Sequence, residues 1–427
     1  MKKNSEKNKF KKFINLYKKI QSCEFLLINY AGRSASFFLG GLLDGNSNIL
    51  NFNPYLDRKV LLLLDEFVDT KDYSNTEVHL LKEKLKKILF LHYEIVYKKA
   101  TTNAKKVIKK EKKIHEKIKK VIHIFENLIY SNKNNSYLNL DTILKFFYFS
   151  YSFSFNKKFV FSKKIKILVN VHGLFPLEKQ IAFMKKFKKY KWITMIRDPL
   201  KSIDSHYLHT YGREPNAILA LFSRILLQYK FSLFFLYTNK SSNFFKIKAY
   251  EKFIKEANLK KVYQNCFLVS FEKLHLYPQE SMKKISKKLG LKYEPGILVD
   301  TIANYPVSFL SAKGQISGFS KTQALNNKTN FLNLFQKKAV EIIFRDEINL
   351  MGYKTHAKNY FPGKFSLISL FSLIYCKSDR FHFASFFALI FKFLIFNGFK
   401  ELKLCVGSNR VLLSRDTVDK KRVKFLN

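Results

Sequence analysis

Two short segments of this chain carry residue types that bind anions, and one histidine stands between them. Gly32, Arg33, Ser34, Ala35 and Ser36 follow one apolar run and precede another. A loop of small residues between a strand and a helix offers an anion its backbone N–H groups and the positive end of the helix dipole. Arg33 adds a permanent charge, and Ser34 and Ser36 add hydroxyl donors. Such a turn alone also serves packing, and the chain lacks the phosphate-loop pattern GxxxxGK[ST]. Further on, IRDPLKSIDSHY places Arg197 at the end of a second apolar run, Pro199 where a helix can begin, and Ser205 within that helix. An arginine fork and a serine hydroxyl can then close round one phosphate, provided the strand end folds back over the helix start. Equally, Asp198 could cap the helix while Arg197 pairs at the surface. His172 directly follows the run ILVNV, and an imidazole there could accept a proton near neutral pH, although a lone histidine at a strand end is usually structural.

These groups need a scaffold of alternating strands and helices. EFLLINY, Glu24–Tyr30, reads as a buried strand, and AGRSAS then leads into a helix ending near Leu43. IKILVNV (165–171), WITMI (192–196) and CFLVSF (266–271) read as further strands, with a helix over 177–187 between the first two. The last precedes Pro278 and an amphipathic helix over Gln279–Leu289, closed by Gly290. The pattern predicts an α/β fold: a three-layer sandwich round a central parallel sheet. Between about 56 and 161 the pattern is helical and rich in lysine, with Ile114, Ile118, Val121, Phe125 and Leu128 on one face. It reads as a helical insertion whose lysines form a solvated face. The expected organisation is a basic tail over 1–20, one domain over 21–355 that contains this insertion, and an aromatic, apolar C-terminal appendage over 356–427.

Lys and Arg number 78 against 32 Asp and Glu, a formal charge of +46 that attracts polyanions of any kind. Lys, Asn, Ile, Phe and Tyr are abundant together, as codon bias in an A/T-rich genome would produce, so charge alone selects no partner. Cys23, Cys266, Cys376 and Cys405 are scattered, without the spacing of a zinc site, and fit a reducing compartment. The basic N-terminus is not followed by an apolar stretch of signal-peptide length, which argues against a cleaved signal. The run 381–396 is apolar but short for a membrane span and contains Lys392, so a buried or interfacial helix is expected. A cytoplasmic protein with peripheral membrane contact is the resulting expectation.

Taken in order, the segments RSASF and RDPLKSIDS resemble the sulfotransferase family, whose 5'-phosphosulfate loop reads approximately [KR]SGT[TS] and whose 3'-phosphate motif reads RxPxxxxxS. AKGQISGF, with Lys313, Gly314 and Gly318, resembles the family's KGxxG loop, and glycines there let backbone amides approach a phosphate. SFEKLHLYPQESMKKISKKLGL looks like its strand, acidic turn and helix. The resemblance covers Glu24 to Pro54 and Lys164 to about Tyr353. It implies a P-loop-like fold and a nucleotide donor, 3'-phosphoadenylyl sulfate (PAPS), with no metal required. It further implies that Gly32, Arg33, Ser34, Ala35 and Ser36 cradle the 5'-phosphosulfate, that Arg197 and Ser205 hold the 3'-phosphate, that Phe271 lies beside the adenine, and that Lys313 and Gly314 complete the site. His172, in a segment similar to the family's KTHLP, would be the base, assisted by the charge of Arg33. Two departures stand out. Ala35 replaces the usual glycine and adds a Cβ, and Phe37 replaces a hydroxyl residue; either would weaken nucleotide binding. The acceptor is open among a glycan, a lipid headgroup, a small molecule and a protein tyrosine, with an envelope glycan or lipid preferred; nucleic acid is not expected as the specific ligand. The rival readings are a P-loop-type kinase, which would require magnesium, and a non-enzymatic protein that binds polyanions or membrane.

Overall fold

The computed structural model describes residues 20–30, 35–70, 73–109, 114–132, 138–155, 165–171, 182–211, 264–302, 305–311, 314–316, 318–325, 344–353 and 424–426, with a few isolated positions between them. Five parallel strands form the centre: β1 (Glu24–Tyr30), β2 (Ile49–Leu50), β3 (Lys166–Asn170), β4 (Tyr190–Ile196) and β5 (Cys266–Ser270), in the order β2-β3-β1-β4-β5. Both faces are covered, as parallel sheets require. Along β1, Phe25 and Leu27 enter one core while Leu26 and Ile28 enter the other. Trp192 and Ile193 of β4 divide in the same way. Sequence and structure therefore agree on an α/β sandwich.

One face is covered by α1 (Ser36–Asp44), which joins β1 to β2, and by residues further along the chain. The other is covered largely by the lysine-rich segment: α2 (Asp57–Thr70), α3 (Asn75–Lys99), α4 (Thr102–Lys109), α5 (Ile114–Asn132) and α6 (Leu140–Ser154). Val60, Leu85, Phe125 and Phe147 of these helices share a core with Phe25, Ile167 and Trp192 of the sheet. Nearly every residue of α6 is buried, including Lys145, whose ammonium group lies 2.5 Å from Asp141 and donates to the carbonyl of Gln21. The segment read as an insertion is thus packed directly on the sheet. Its apolar stripe follows the helical period, as Ile118, Val121, Phe125 and Leu128 show.

After β4 come α7 (Pro199–Tyr211) and, after β5, α8 (Phe271–Leu276) and α9 (Pro278–Leu289). The strand expected over 266–271 ends at Ser270, because its side chain caps a helix that starts at Phe271 by accepting from the Lys273 amide. Gly290 closes α9 in the left-handed conformation, as expected. Two hairpins follow, β6 (Thr301–Ile302) with β7 (Tyr305–Pro306) and β8 (Phe309–Ser311) with β9 (Gly314–Ile316). The C-terminal segment is tied back to the domain: Leu268 of β5 bonds to Lys424 and Leu426, and Leu426 is buried. The apolar run 381–396 lies outside the described residues, among which no helix is long and apolar enough to cross a membrane.

Candidate functional site

β1 and β4 are hydrogen-bonded neighbours whose carboxyl ends stand level, with Ile28 opposite Ile193 and Tyr30 opposite Met195. The chain leaves β1 toward Ala35 and leaves β4 at Arg197, so the two segments follow adjacent strands about 4.8 Å apart. On the other side of β1, β3 ends where Asn170 pairs with Ile28 and the Val171 amide donates to the Ile28 carbonyl. The connection from β1 runs outward past β3, while that from β3 runs back past β1. Such a reversal marks the carboxyl edge where α/β folds generally bind ligands. His172 is the next residue after Val171, and it lies outside the described residues together with Gly32, Arg33, Ser34 and Lys313. Ala35, Ser36, Arg197, Ser205, Phe271 and Gly314 lie within them.

Ala35 begins α1 with φ 61° and ψ 39°, the only positive φ outside glycine among the described residues. For an L-residue that conformation costs about 1–2 kcal/mol. It is held because the Ala35 carbonyl accepts from the amides of Phe38 and Leu39, starting the helix. Alanine at this position therefore keeps the backbone turn that glycine would adopt freely, at the cost of local strain. Ser36 is buried in the first turn, and Phe37 packs its ring 4.6 Å from that of Tyr55, so an aromatic contact occupies the place of the missing hydroxyl. Farther along α1, a Cβ on Gly40 would stand 3.2 Å from Asn170 Oδ1. Glycine at this position lets the helix lie close over the end of β3.

Arg197 is half-buried at the end of β4. Its guanidinium lies over the Phe271 ring, 4.7 Å from the centroid, and its Nε is buried without a hydrogen-bond partner. Burial pulls its pKa down, and the nearby charges of Glu272 and Asp198 oppose that shift. The Tyr229 hydroxyl donates to the Arg197 carbonyl, and Glu272 accepts from the Asp198 amide and, at 2.5 Å, from the Tyr353 hydroxyl. The strand end is thereby fixed while one guanidinium donor stays unpaired. Asp198 does accept from the Leu200 amide, as the capping alternative expects, but the surface ion pair in that alternative does not describe a stacked, half-buried guanidinium. Ser205 is half-buried on α7, on the helical stripe that also carries Asp198 and Ser202.

Gly314 starts β9 and faces Ser311 across the hairpin. Gly318 has φ 76° and stands one place beyond the spacing of KGxxG, so this loop is one residue longer than the pattern. Next to it lies a residue that sequence reasoning missed. His275 on α8 is buried, its ring stacked 4.9 Å from Phe38 of α1 and 4.2 Å from Phe271, with Phe319 at its edge. Its Nδ1 accepts from the Ser320 amide, whereas Nε2 is buried without a partner. Burial, with the charge of Arg197, lowers its pKa to about 4.

Sequence reasoning also missed Asp57. Fully buried at the start of α2, it accepts from the backbone amide and side-chain amide of Asn170, from the Tyr148 hydroxyl, and more distantly from the Asn53 amide. Desolvation pushes its pKa up to about 6 against those bonds. Asn53 in turn donates to His92 Nδ1, and His92 Nε2 meets the Tyr151 hydroxyl at 2.8 Å. This network joins three helices to the end of β3. No local sequence signal marks it, because its members are far apart in the chain. Among the described residues no cluster of three His, Cys, Asp or Glu is arranged to hold a metal ion.

No family model matches the sequence, and no curated protein matches it. Among solved structures, the chain is similar to the sulfotransferase domain of the Synechococcus PCC 7002 olefin synthase, at 12% identity and a TM-score of 0.35, over 75% of this chain and 94% of that one. It is also similar to sulfotransferase STF9 from Mycobacterium avium, at 10% identity and a TM-score of 0.34, over 81% of this chain and 82% of that one. Likeness at this level assigns no residue and no substrate.

Proposed function

We propose that the protein is a sulfotransferase that moves a sulfonate from PAPS to an acceptor hydroxyl or amine. The observation that carries this reading is Arg197: a guanidinium stacked on Phe271, with a buried donor unpaired, at the end of a strand whose neighbour leads into the start of α1. A buried donor without a partner costs about 1–3 kcal/mol, and an arriving phosphate oxygen would satisfy it. Arg197 and Ser205 suit the 3'-phosphate, and Phe271, itself buried, supports the guanidinium from behind. Gly32 to Ser36 suit the 5'-phosphosulfate, with Lys313 and Gly314 closing the site. PAPS supplies an activated sulfonate. His172 takes the acceptor proton as the acceptor–sulfur bond forms and the bond from sulfur to the bridging oxygen breaks, leaving 3',5'-ADP. Arg33 and the loop amides stabilise charge on the departing phosphate, by donors fixed in place before the reaction. The acceptor is a glycan, lipid or small molecule, in a cytoplasmic setting with peripheral membrane contact.

Calorimetric titration with 3',5'-ADP and with 5'-AMP tests the donor site. A preference for 3',5'-ADP of about tenfold or more, equivalent to about 1.4 kcal/mol and lost in Arg197→Ala, is expected. Equal affinity for the two nucleotides in the folded wild type would sink the assignment.

A further inference from the structure

We propose that His275 is a positioning residue, a latch that holds the glycine loop of residues 314–318 against the nucleotide platform. The inference rests on the nucleotide reading for its purpose but on separate contacts for its geometry. Three segments converge on this imidazole. Phe38 comes from the helix that begins at Ala35, Phe271 from the ring beneath Arg197, and Phe319 with Ser320 from the end of the glycine loop. Among the described residues the ring's hydrogen bond is the one Nδ1 accepts from the Ser320 amide, at 2.9 Å. Accepting at Nδ1 fixes the neutral tautomer that carries its proton on Nε2.

That proton is what separates a latch from a core ring. Nε2 is buried and unpaired, which costs about 1–3 kcal/mol. A phenylalanine would fill the same space among Phe38, Phe271 and Phe319 without that cost. What the histidine adds is the acceptor at Nδ1, and its one partner is the residue two places after Gly318, whose positive φ turns the chain there. Among the described residues the loop's other tie is the Gly318 amide, which donates to the Asp300 carboxylate, and β8 and β9 are only three residues each. The charge that acts on the ring is that of Arg197 at the end of β4, and α8 itself carries Glu272 and Lys273; α1 presents Phe38 and the loop presents Phe319 and Ser320, none of them ionisable. Those surroundings keep the imidazole neutral and able to accept.

The test compares wild type with His275→Phe, which keeps a ring and removes the acceptor, and with His275→Asn, whose side-chain oxygen restores one near Nδ1. Hydrogen exchange at pH 7 reads the amides of residues 318–320, and calorimetry reads 3',5'-ADP affinity. In His275→Phe the 318–320 amides should exchange about tenfold faster and 3',5'-ADP should bind about tenfold more weakly, the scale of one hydrogen bond, with most of both recovered in His275→Asn. If wild type binds 3',5'-ADP and His275→Phe changes neither quantity, the latch is wrong and the nucleotide site stands. If wild type binds no 3',5'-ADP but exchange accelerates in His275→Phe and recovers in His275→Asn, the latch stands and the nucleotide reading falls. Should His275→Phe not fold, His275→Leu, which also removes the acceptor, replaces it: exchange about tenfold faster than wild type sustains the latch, and unchanged exchange overturns it.

Discussion

Two ionisable groups, one fully and one half-buried, sit at the carboxyl edge of the sheet, and they are treated in opposite ways. Asp57, at the end of β3, is met by two donors from Asn170 and one from Tyr148, with the Asn53 amide more distant. Arg197, at the end of β4, has one planar face of its guanidinium covered by Phe271 and its Nε left without a partner. The first is a closed lock between the helical layer and the sheet. The second is a charge fixed in place with bonding capacity in reserve. A buried ionisable group is therefore no sign of a site by itself; what distinguishes one is an unmet hydrogen-bonding partner.

The sharpest way to break the comparison is to remove the lock. Asp57→Ala strands the donors of Asn170 and Tyr148, and should cost about 3 kcal/mol in urea unfolding. In the protein that remains folded, the preference for 3',5'-ADP over 5'-AMP should survive, because Asp57 is fully buried. Loss of the preference at full stability would make Asp57 part of the site and erase the contrast. A second change sharpens the other side. Arg197→Lys keeps the charge but loses the planar stack on Phe271 and the fork, so 3',5'-ADP should bind about tenfold more weakly while unfolding midpoints barely move. Unchanged affinity would mean that point charge alone is used.

Acid titration separates the groups by sign. Asp57 and Asp300 have folded pKa values raised to about 6, so their contribution to stability is present below about pH 4 and is lost as pH rises through 6. His275 is shifted the other way, to about 4, so its contribution is present above about pH 6.5 and is lost as pH falls through 4. Removing the imidazole in His275→Phe should leave the two acids unopposed. Stability at pH 4.5 relative to pH 7 should then rise by about 1–2 kcal/mol over wild type, measured by urea unfolding at both pH values. An unchanged pH profile would show that His275 titrates normally. The smallest expected effect is at Ala35. Ala35→Gly relieves the left-handed strain but gives the unfolded chain more freedom, and should stabilise by about 1 kcal/mol or less, with 3',5'-ADP affinity equal or tighter. Destabilisation there would mean that the alanine methyl packs against a neighbour.

Much of this was legible in the sequence because the signals are local. The run EFLLINY became β1 with the predicted bounds, since a parallel strand buried on both faces must be apolar throughout. Gly290 after a helical stripe became a left-handed helix end. β2 was missed because two residues carry no period, and α8 was merged into the strand before it because Phe271 suits either state until Ser270 caps the helix. The alanine in RSASF was read as a departure from the motif, and only the backbone angle showed that the glycine-like turn persists.

The sequence by itself determined the alternation of strands and helices and the order of the two loop segments that follow β1 and β4, because period and spacing are properties of neighbouring residues. Tertiary structure alone decided that the lysine-rich helices are the layer against the sheet, since their apolar stripe could have met any partner. It alone joined Asp57 to Asn170 and His275 to Ser320, 113 and 45 residues apart in the chain. Hydrogen-bond partners at such separations are chosen by which chain ends the sheet order brings together, and no local pattern records that choice.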